Sequence, residues 1–84
     1  MCTYVTEHLK VTGSAKGANG WFSLTDATVY LDHPVHAAAE HTLNIDFLAP
    51  QAGPTARVAV ELGPDTAGAL AAAILAALQR GPGA

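Results

Sequence analysis

Apolar and polar residues alternate with a period of two in four segments of this 84-residue chain, and this pattern constrains the fold most strongly. In one segment, for example, Ala27, Val29 and Leu31 alternate with polar residues. Because successive side chains of a strand point to opposite faces, each segment predicts a strand with one apolar side. Four such strands are typical of an antiparallel sheet covered on one face only. The four segments are residues 3–12, 24–33, 41–49 and 55–62.

The first of these segments and the residues that follow it carry irregular features. Glu7 interrupts the apolar side of the first segment, which predicts an edge strand or a bulge there. Residues 13–20 contain three glycines, a serine and an asparagine, and this composition predicts a loop. Trp21 and Phe22 follow directly, and we expect them to cap one end of the core.

The C-terminal segment has the signals of a helix. Pro64 suits a first helical position, and Asp65 suits the first turn because it meets the helix dipole favourably. Glycine and proline at residues 81–83 end the pattern. The residues between the large apolar ones are mostly alanine, which either permits close packing on the sheet or forms a second contact surface in an oligomer. The large apolar residues that recur at helical spacing are Leu70, Ile74, Leu75 and Leu78.

These elements together predict an α+β fold. We expect a single domain over residues 1–84, built as a four-stranded antiparallel sheet with one C-terminal helix packed on its apolar face.

Composition excludes several classes of function. The chain has four lysine and arginine residues and a net charge of −3, so it cannot form the cationic surface that nucleic-acid binding requires. It has no apolar run of about 18 residues and no signal-peptide pattern, so we expect no membrane partner and a cytoplasmic location. The single cysteine agrees with a reducing compartment.

A histidine cluster is the strongest candidate for a functional site. His33 and His41 have the parities of the apolar sides of the second and third strands, so both imidazoles are expected on the helix side. If the two residues lie opposite one another, their Cβ atoms are about 4.5–5.5 Å apart. His36 lies in the connecting loop and can close over the end of the sheet as a third ligand. The alternative is a hydrogen-bonded, histidine-rich loop that holds no metal.

Three imidazoles with an open fourth position are typical of catalytic zinc, where a bound water is activated. We therefore expect a divalent transition metal, zinc first, although copper, nickel and iron also accept imidazole. Glu40 and Asp32 are candidates to orient the ligating imidazoles by hydrogen bonding. These residues predict a small metal-binding protein, which is a metalloenzyme if the ion activates water or a small substrate.

Two further residues are candidates for additional ligands. Removal of Met1 would leave Cys2 at the N-terminus, with an amine and a thiol that can both bind metal. An ordinary N-terminal residue is the competing interpretation. His8 has the parity of the polar sheet face, where an exposed histidine is the simpler expectation.

The polar face of the sheet supports a second hypothesis, a non-catalytic homo-oligomeric module that holds a small ligand between subunits. The simpler interpretation is a solvated face with cross-strand pairs such as Arg57 with an aspartate. A third hypothesis is proton transfer by His36 with Glu40 and no metal. The residues that define the polar face are Tyr30, Asn44, Asp46 and Arg57.

Three parts of the chain also form a recognisable set: Met1-Cys2-Thr3-Tyr4, Gly20-Trp21-Phe22, and the stretch from His33-Pro34-Val35-His36 through Glu40-His41 to Phe47. With these segments the chain resembles, over nearly its whole length, a family of short uncharacterised actinobacterial proteins. The resemblance implies a domain of unknown function, and it brings no reaction, cofactor or catalytic residue.

Overall fold

The computed structural model describes residues 6–32 and 41–81. The strands form one antiparallel sheet in the order β1-β2-β3-β4, and the helix follows the last strand, so the predicted α+β class is confirmed. A short 3-10 turn over Pro50–Ala52 connects β3 to β4. The elements are β1 (Thr6–Gly17), β2 (Gly20–Asp32), β3 (Thr42–Leu48), β4 (Arg57–Leu62) and α1 (Pro64–Gln79).

The register confirms that one face of the sheet is apolar. Residues directly opposite one another share a face, and the pairing aligns large aliphatic residues across the three strands β2, β3 and β4. Shifting one strand by a single residue would move its whole apolar set to the other face, so this pattern fixes the register. The aligned rows are Val29–Ile45–Val60 and Leu31–Leu43–Leu62.

The prediction of a loop over residues 13–20 is wrong. β1 continues to Gly17, and only Ala18 and Asn19 form the turn before β2 begins. Glycine is weak in a strand, but a partner side chain can cover the bare backbone. Phe22 supplies this cover, because a Cβ on Gly17 would lie 3.1 Å from the Phe22 Cε1 atom. Pairing with β2 therefore outweighs the local preference for a loop.

Position 20 takes the unusual backbone conformation of this turn. Gly20 has a φ of 105°, whereas no non-glycine residue in the described part of the chain has a positive φ. Only glycine adopts this region without strain, so it lets the two long strands turn back on each other.

β1 is an edge strand, as expected from Glu7, but its bulge lies elsewhere. The partner of Lys10 is Asp26, and the next resolved pair is Gly13 with Leu24. Val11 and Thr12 therefore lie opposite one residue of β2, and the bulge follows Glu7 by four residues.

The expectation that Trp21 and Phe22 cap one end of the core agrees with the burial of only one of the two residues. Phe22 is half-buried, whereas Trp21 is 70% exposed. The extended β1–β2 hairpin explains this difference, because neighbouring residues of a strand point to opposite faces.

The helix covers the sheet incompletely. Within residues 64–79 no side chain is buried, and the buried apolar residues of the described part are Ala27, Ala49 and Ala56. A cavity of about 420 Å³ lies between the apolar face and α1, bordered by Leu31, Leu43, Ile74 and other residues of both elements. In the described part of the chain, no helix has the length and apolar character needed to cross a membrane.

Substitution of Gly20 tests the hairpin. Gly20→Ala should lower the free energy of unfolding by about 1–2 kcal/mol, because alanine is strained at this positive φ. Gly13→Ala is the matched control, since Gly13 has no positive φ and open space where a Cβ would lie. Urea denaturation should show little change for the control. Equal losses in the two variants would contradict the assigned turn.

Candidate functional site

The end of the β2–β3 hairpin is where the histidine cluster was predicted. The described ladder reaches the pair Asp32 and Thr42, and His41 lies directly before β3 with its side chain half-buried. His41 has the parity of Leu43, whose side of the sheet is the apolar one. The structure therefore describes one of the three predicted ligands at this end. His33, His36, Glu40 and Cys2 lie outside the described residues.

A buried polar pair anchors the start of β3 on the other face. The Thr42 hydroxyl donates a hydrogen bond of 2.7 Å to the Asn44 side-chain oxygen, and these residues are only 0% and 8% exposed. Asn44 lies on the polar face, as predicted, but it is buried rather than solvated. Threonine and asparagine two residues apart on a strand share a face, so each satisfies part of the other's hydrogen bonding after burial.

The structural importance of Thr42 was not predicted from the sequence. The available signal was the Thr-x-Asn spacing, which brings a hydroxyl and an amide together on one side of a strand. Its consequence is local order next to His41, because a buried and hydrogen-bonded Thr42 fixes the backbone at the start of β3.

The rest of the polar face carries internal pairs. The Arg57 guanidinium donates to the Asp46 carboxylate at 2.9 Å, which confirms the expected cross-strand pair. Arg57 is exposed, so this ion pair contributes at most about 1 kcal/mol to stability. Tyr30 is half-buried and lies opposite Asn44 in the register. Among the predicted interface residues, Arg57 and Asp46 are thus engaged with each other.

A second ion pair links the edge strand to β2. The Lys10 ammonium donates to the Asp26 carboxylate at 2.9 Å, and the Thr25 hydroxyl donates to the other oxygen at 2.6 Å. These hydrogen bonds, that of Lys10 first, hold the pKa of Asp26 below its ordinary value of 3.8. Both donors favour the ionised carboxylate, so this site is a structural ion pair at the surface.

His8 is not brought to the end of the hairpin. It is exposed and pairs with Thr28, which precedes Asp32 by four residues of β2, a separation of roughly 13 Å. Its parity also assigns it to the face opposite that of His41. The simpler expectation of an exposed histidine on the polar face is confirmed.

Within residues 6–32 and 41–81, no group of three or more histidine, cysteine, aspartate or glutamate side chains is arranged to hold a metal ion. The three-histidine hypothesis draws two of its ligands from outside these ranges, so it remains a prediction.

The fold and this hairpin end define a small α+β protein with a four-stranded antiparallel meander and an incompletely packed C-terminal helix. The chain belongs to a family of unknown function, DUF6295, whose model matches residues 1–84. The expectation of an uncharacterised family is thereby confirmed, and the actinobacterial origin stays a prediction. No curated protein and no solved structure matches the chain.

The Lys10–Asp26 pair allows a test of the polar face. Lys10→Met should raise the pKa of Asp26 towards its ordinary value, although only partway because Thr25 still donates. A depressed pKa contributes stability above the unfolded-state pKa, and this contribution is lost as pH falls through the folded-state pKa. As the pH falls from the unfolded-state pKa of Asp26 to its folded-state pKa, the variant should therefore lose less stability than the parent.

Titration of the Asp26 carboxyl carbon by NMR measures this shift directly. Lys16→Met is the matched control, because Lys16 pairs with Trp21 at the far end of the strand. An Asp26 pKa that is the same in the parent and in Lys10→Met would show that the pair does not form in solution.

Proposed function

We propose that this chain is a small metal-binding protein that holds one divalent transition ion at the end of the β2–β3 hairpin. The ligands are His33, His36 and His41, and zinc is the first candidate for the ion, with copper, nickel or iron as alternatives. Three neutral imidazoles leave a coordination position for water or a small substrate. The ion would then act as a Lewis acid or lower the pKa of its bound water.

The register of the β2–β3 ladder is the observation that carries this proposal. Its pairs run without interruption from Asp26 with Leu48 to Asp32 with Thr42. The next pair in the same register is residue 33 with residue 41. Opposite residues of an antiparallel pair have Cβ atoms about 4.5–5.5 Å apart, a separation that suits two ligands of one ion. The sequence thus has histidine at both positions of the pair that would follow.

The surroundings of this pair also support the proposal. Positions 33 and 41 continue the parity of Leu31 and Leu43, which belong to the apolar face. An apolar environment restricts water and lowers the local dielectric constant, and both effects strengthen the influence of a bound cation. Half-burial of His41 agrees with a side chain held in this environment.

Second-sphere hydrogen bonds are expected from the acids beside the ligands. Asp32 and Glu40 adjoin His33 and His41 in the chain. A carboxylate that accepts from the free ring N–H of a ligating imidazole fixes its tautomer and raises its basicity. These roles belong to the proposal and would appear as weaker metal affinity in the Asp32→Asn and Glu40→Gln variants.

Metal analysis of protein purified without a histidine tag is the test. The parent should contain or bind one ion per chain, and His36→Ala and His41→Ala should each lose it. His8→Ala is the matched control, since it removes an exposed histidine from the opposite face. Equal, substoichiometric metal in all four proteins would overturn the proposal.

Cobalt(II) loading decides whether Cys2 adds a ligand. A thiolate bound to cobalt(II) gives a charge-transfer absorption in the near ultraviolet, and an all-nitrogen site does not. Loss of that band in Cys2→Ser, with cobalt still bound, would make Cys2 the fourth ligand. An identical spectrum in parent and variant would restrict the first shell to the histidines.

The second candidate function is a non-catalytic homo-oligomeric module. It is favoured by the helix, in which no side chain of residues 64–79 is buried within the single chain. The polar sheet face favours it less, because Arg57 and Asp46 pair with each other and Asn44 is buried. A small ligand held between subunits belongs to this proposal alone, whereas a cytoplasmic location belongs to both proposals.

A further inference from the structure

The apolar side of α1 continues beyond the part that faces the sheet. Leu70 and Ile74 border the cavity, and Leu75 and Leu78 extend the same stripe towards the C-terminal end. Exposure rises along the stripe, from 43% for Leu70 to 72% for Leu78. Contiguous large aliphatic side chains at such exposure are rare on soluble monomers and mark an interaction surface.

The sheet supplies the other half of this surface. Val29, Leu31, Leu43 and Ile45 border the cavity of about 420 Å³ from below, so the helix stripe and the apolar rows of the sheet form one open apolar groove. We refer to these four residues and the helix residues Leu70, Ile74, Leu75 and Leu78 as the apolar groove.

The chain as a whole exposes more surface than a compact chain of its mass, and this excess is as large as the area that one partner buries in an interface between subunits. The chain exposes 6098 Å². A compact chain of its mass exposes about 4700 Å², and the excess of roughly 1400 Å² exceeds the roughly 800 Å² that each partner buries in a standard interface. Its radius of gyration, 14.3 Å, is likewise larger than the roughly 12 Å of a compact chain of this length.

Charge favours a second copy as the occupant. No residue between Thr66 and Gln79 is charged, so the helix sides of two identical grooves meet without direct repulsion despite the net charge of −3 on each chain. The charge nearest the sheet side is Glu7, which lies opposite Val29 on the edge strand β1. A small apolar ligand in the cavity would leave Leu75 and Leu78 exposed, since neither borders it. A second helix of the same kind covers both parts of the groove.

We infer that the protein is a homodimer in which the apolar grooves of two copies cover each other about a twofold axis. Such an interface is isologous, so the same apolar side chains of each copy contact the groove of the other copy. The inference rests on the homo-oligomeric candidate function and names its surface. It is independent of the histidine site.

Sedimentation equilibrium on untagged protein tests the inference with three lysine variants. The parent should be a dimer, and Leu78→Lys should be a monomer, because a buried and unpaired ammonium opposes association. Ala76→Lys places the same charge on the opposite side of the same helix and should remain a dimer. Ala59→Lys, at an exposed position of the polar sheet face, should also remain a dimer.

Folding of the variants is checked by circular dichroism, and Leu75→Lys repeats the test at a second exposed position. The unfolding midpoint of the parent should rise with protein concentration, whereas that of Leu78→Lys should not. This dependence reports association even for a variant that is less stable.

Each contrary result overturns a stated part of the inference. A monomeric parent refutes both the dimer and the homo-oligomeric candidate function, whether or not it carries a co-purified apolar compound. A dimer that only Ala59→Lys dissociates retains that candidate function and moves the interface to the polar sheet face. A dimer that only Ala76→Lys dissociates assigns it to the alanine side of the helix.

Discussion

Pairing of β2 with β3 is the constraint on which the other elements depend. These strands occupy the centre of the sheet, and β1, β4 and, through β4, the helix are attached to them. Their register aligns Val29 with Ile45 on the apolar face and Tyr30 with Asn44 on the other. A slip of β3 by one residue would move Ile45 to the polar side and would carry the hydrogen-bonded pair Thr42 and Asn44 to the apolar side. Burial on both faces therefore fixes the same register that directs the two strand ends towards each other.

Alternation in the sequence was sufficient to predict the four strands, their common apolar face and the helix, because each of these follows from periodicity. It was insufficient for the β1–β2 hairpin, where Gly17 is ordered by the Phe22 ring of the partner strand rather than by its own preference. It also failed for Asn44, since parity assigns a face but does not say whether that face is covered. For the candidate site, parity located His41 and His8 on opposite faces, and pairing of Arg57 with an aspartate was predictable from cross-strand geometry.

The two faces of the sheet have different chemical roles. The polar face satisfies its own groups through Lys10–Asp26, Arg57–Asp46 and the buried threonine–asparagine pair, so little on it demands a partner. The apolar face is incompletely covered by the described residues of one chain. Both proposals use this apolar side: the dimer buries the groove, and the histidine pair would lie where the sheet continues beyond Leu31 and Leu43. Covering the groove would then also shield the metal from water, although neither proposal requires the other.

The most direct test of the proposed site is the distance between the imidazole rings of residues 33 and 41, observed as a nuclear Overhauser effect in solution. Continuation of the ladder by one pair beyond Asp32 and Thr42 predicts a cross-peak between the ring protons of His33 and His41. It should be present together with cross-strand contacts between Leu31 and Leu43. Those aliphatic contacts without any His33–His41 cross-peak, with and without zinc, would show that the ladder ends at Thr42 and would contradict a shared metal site.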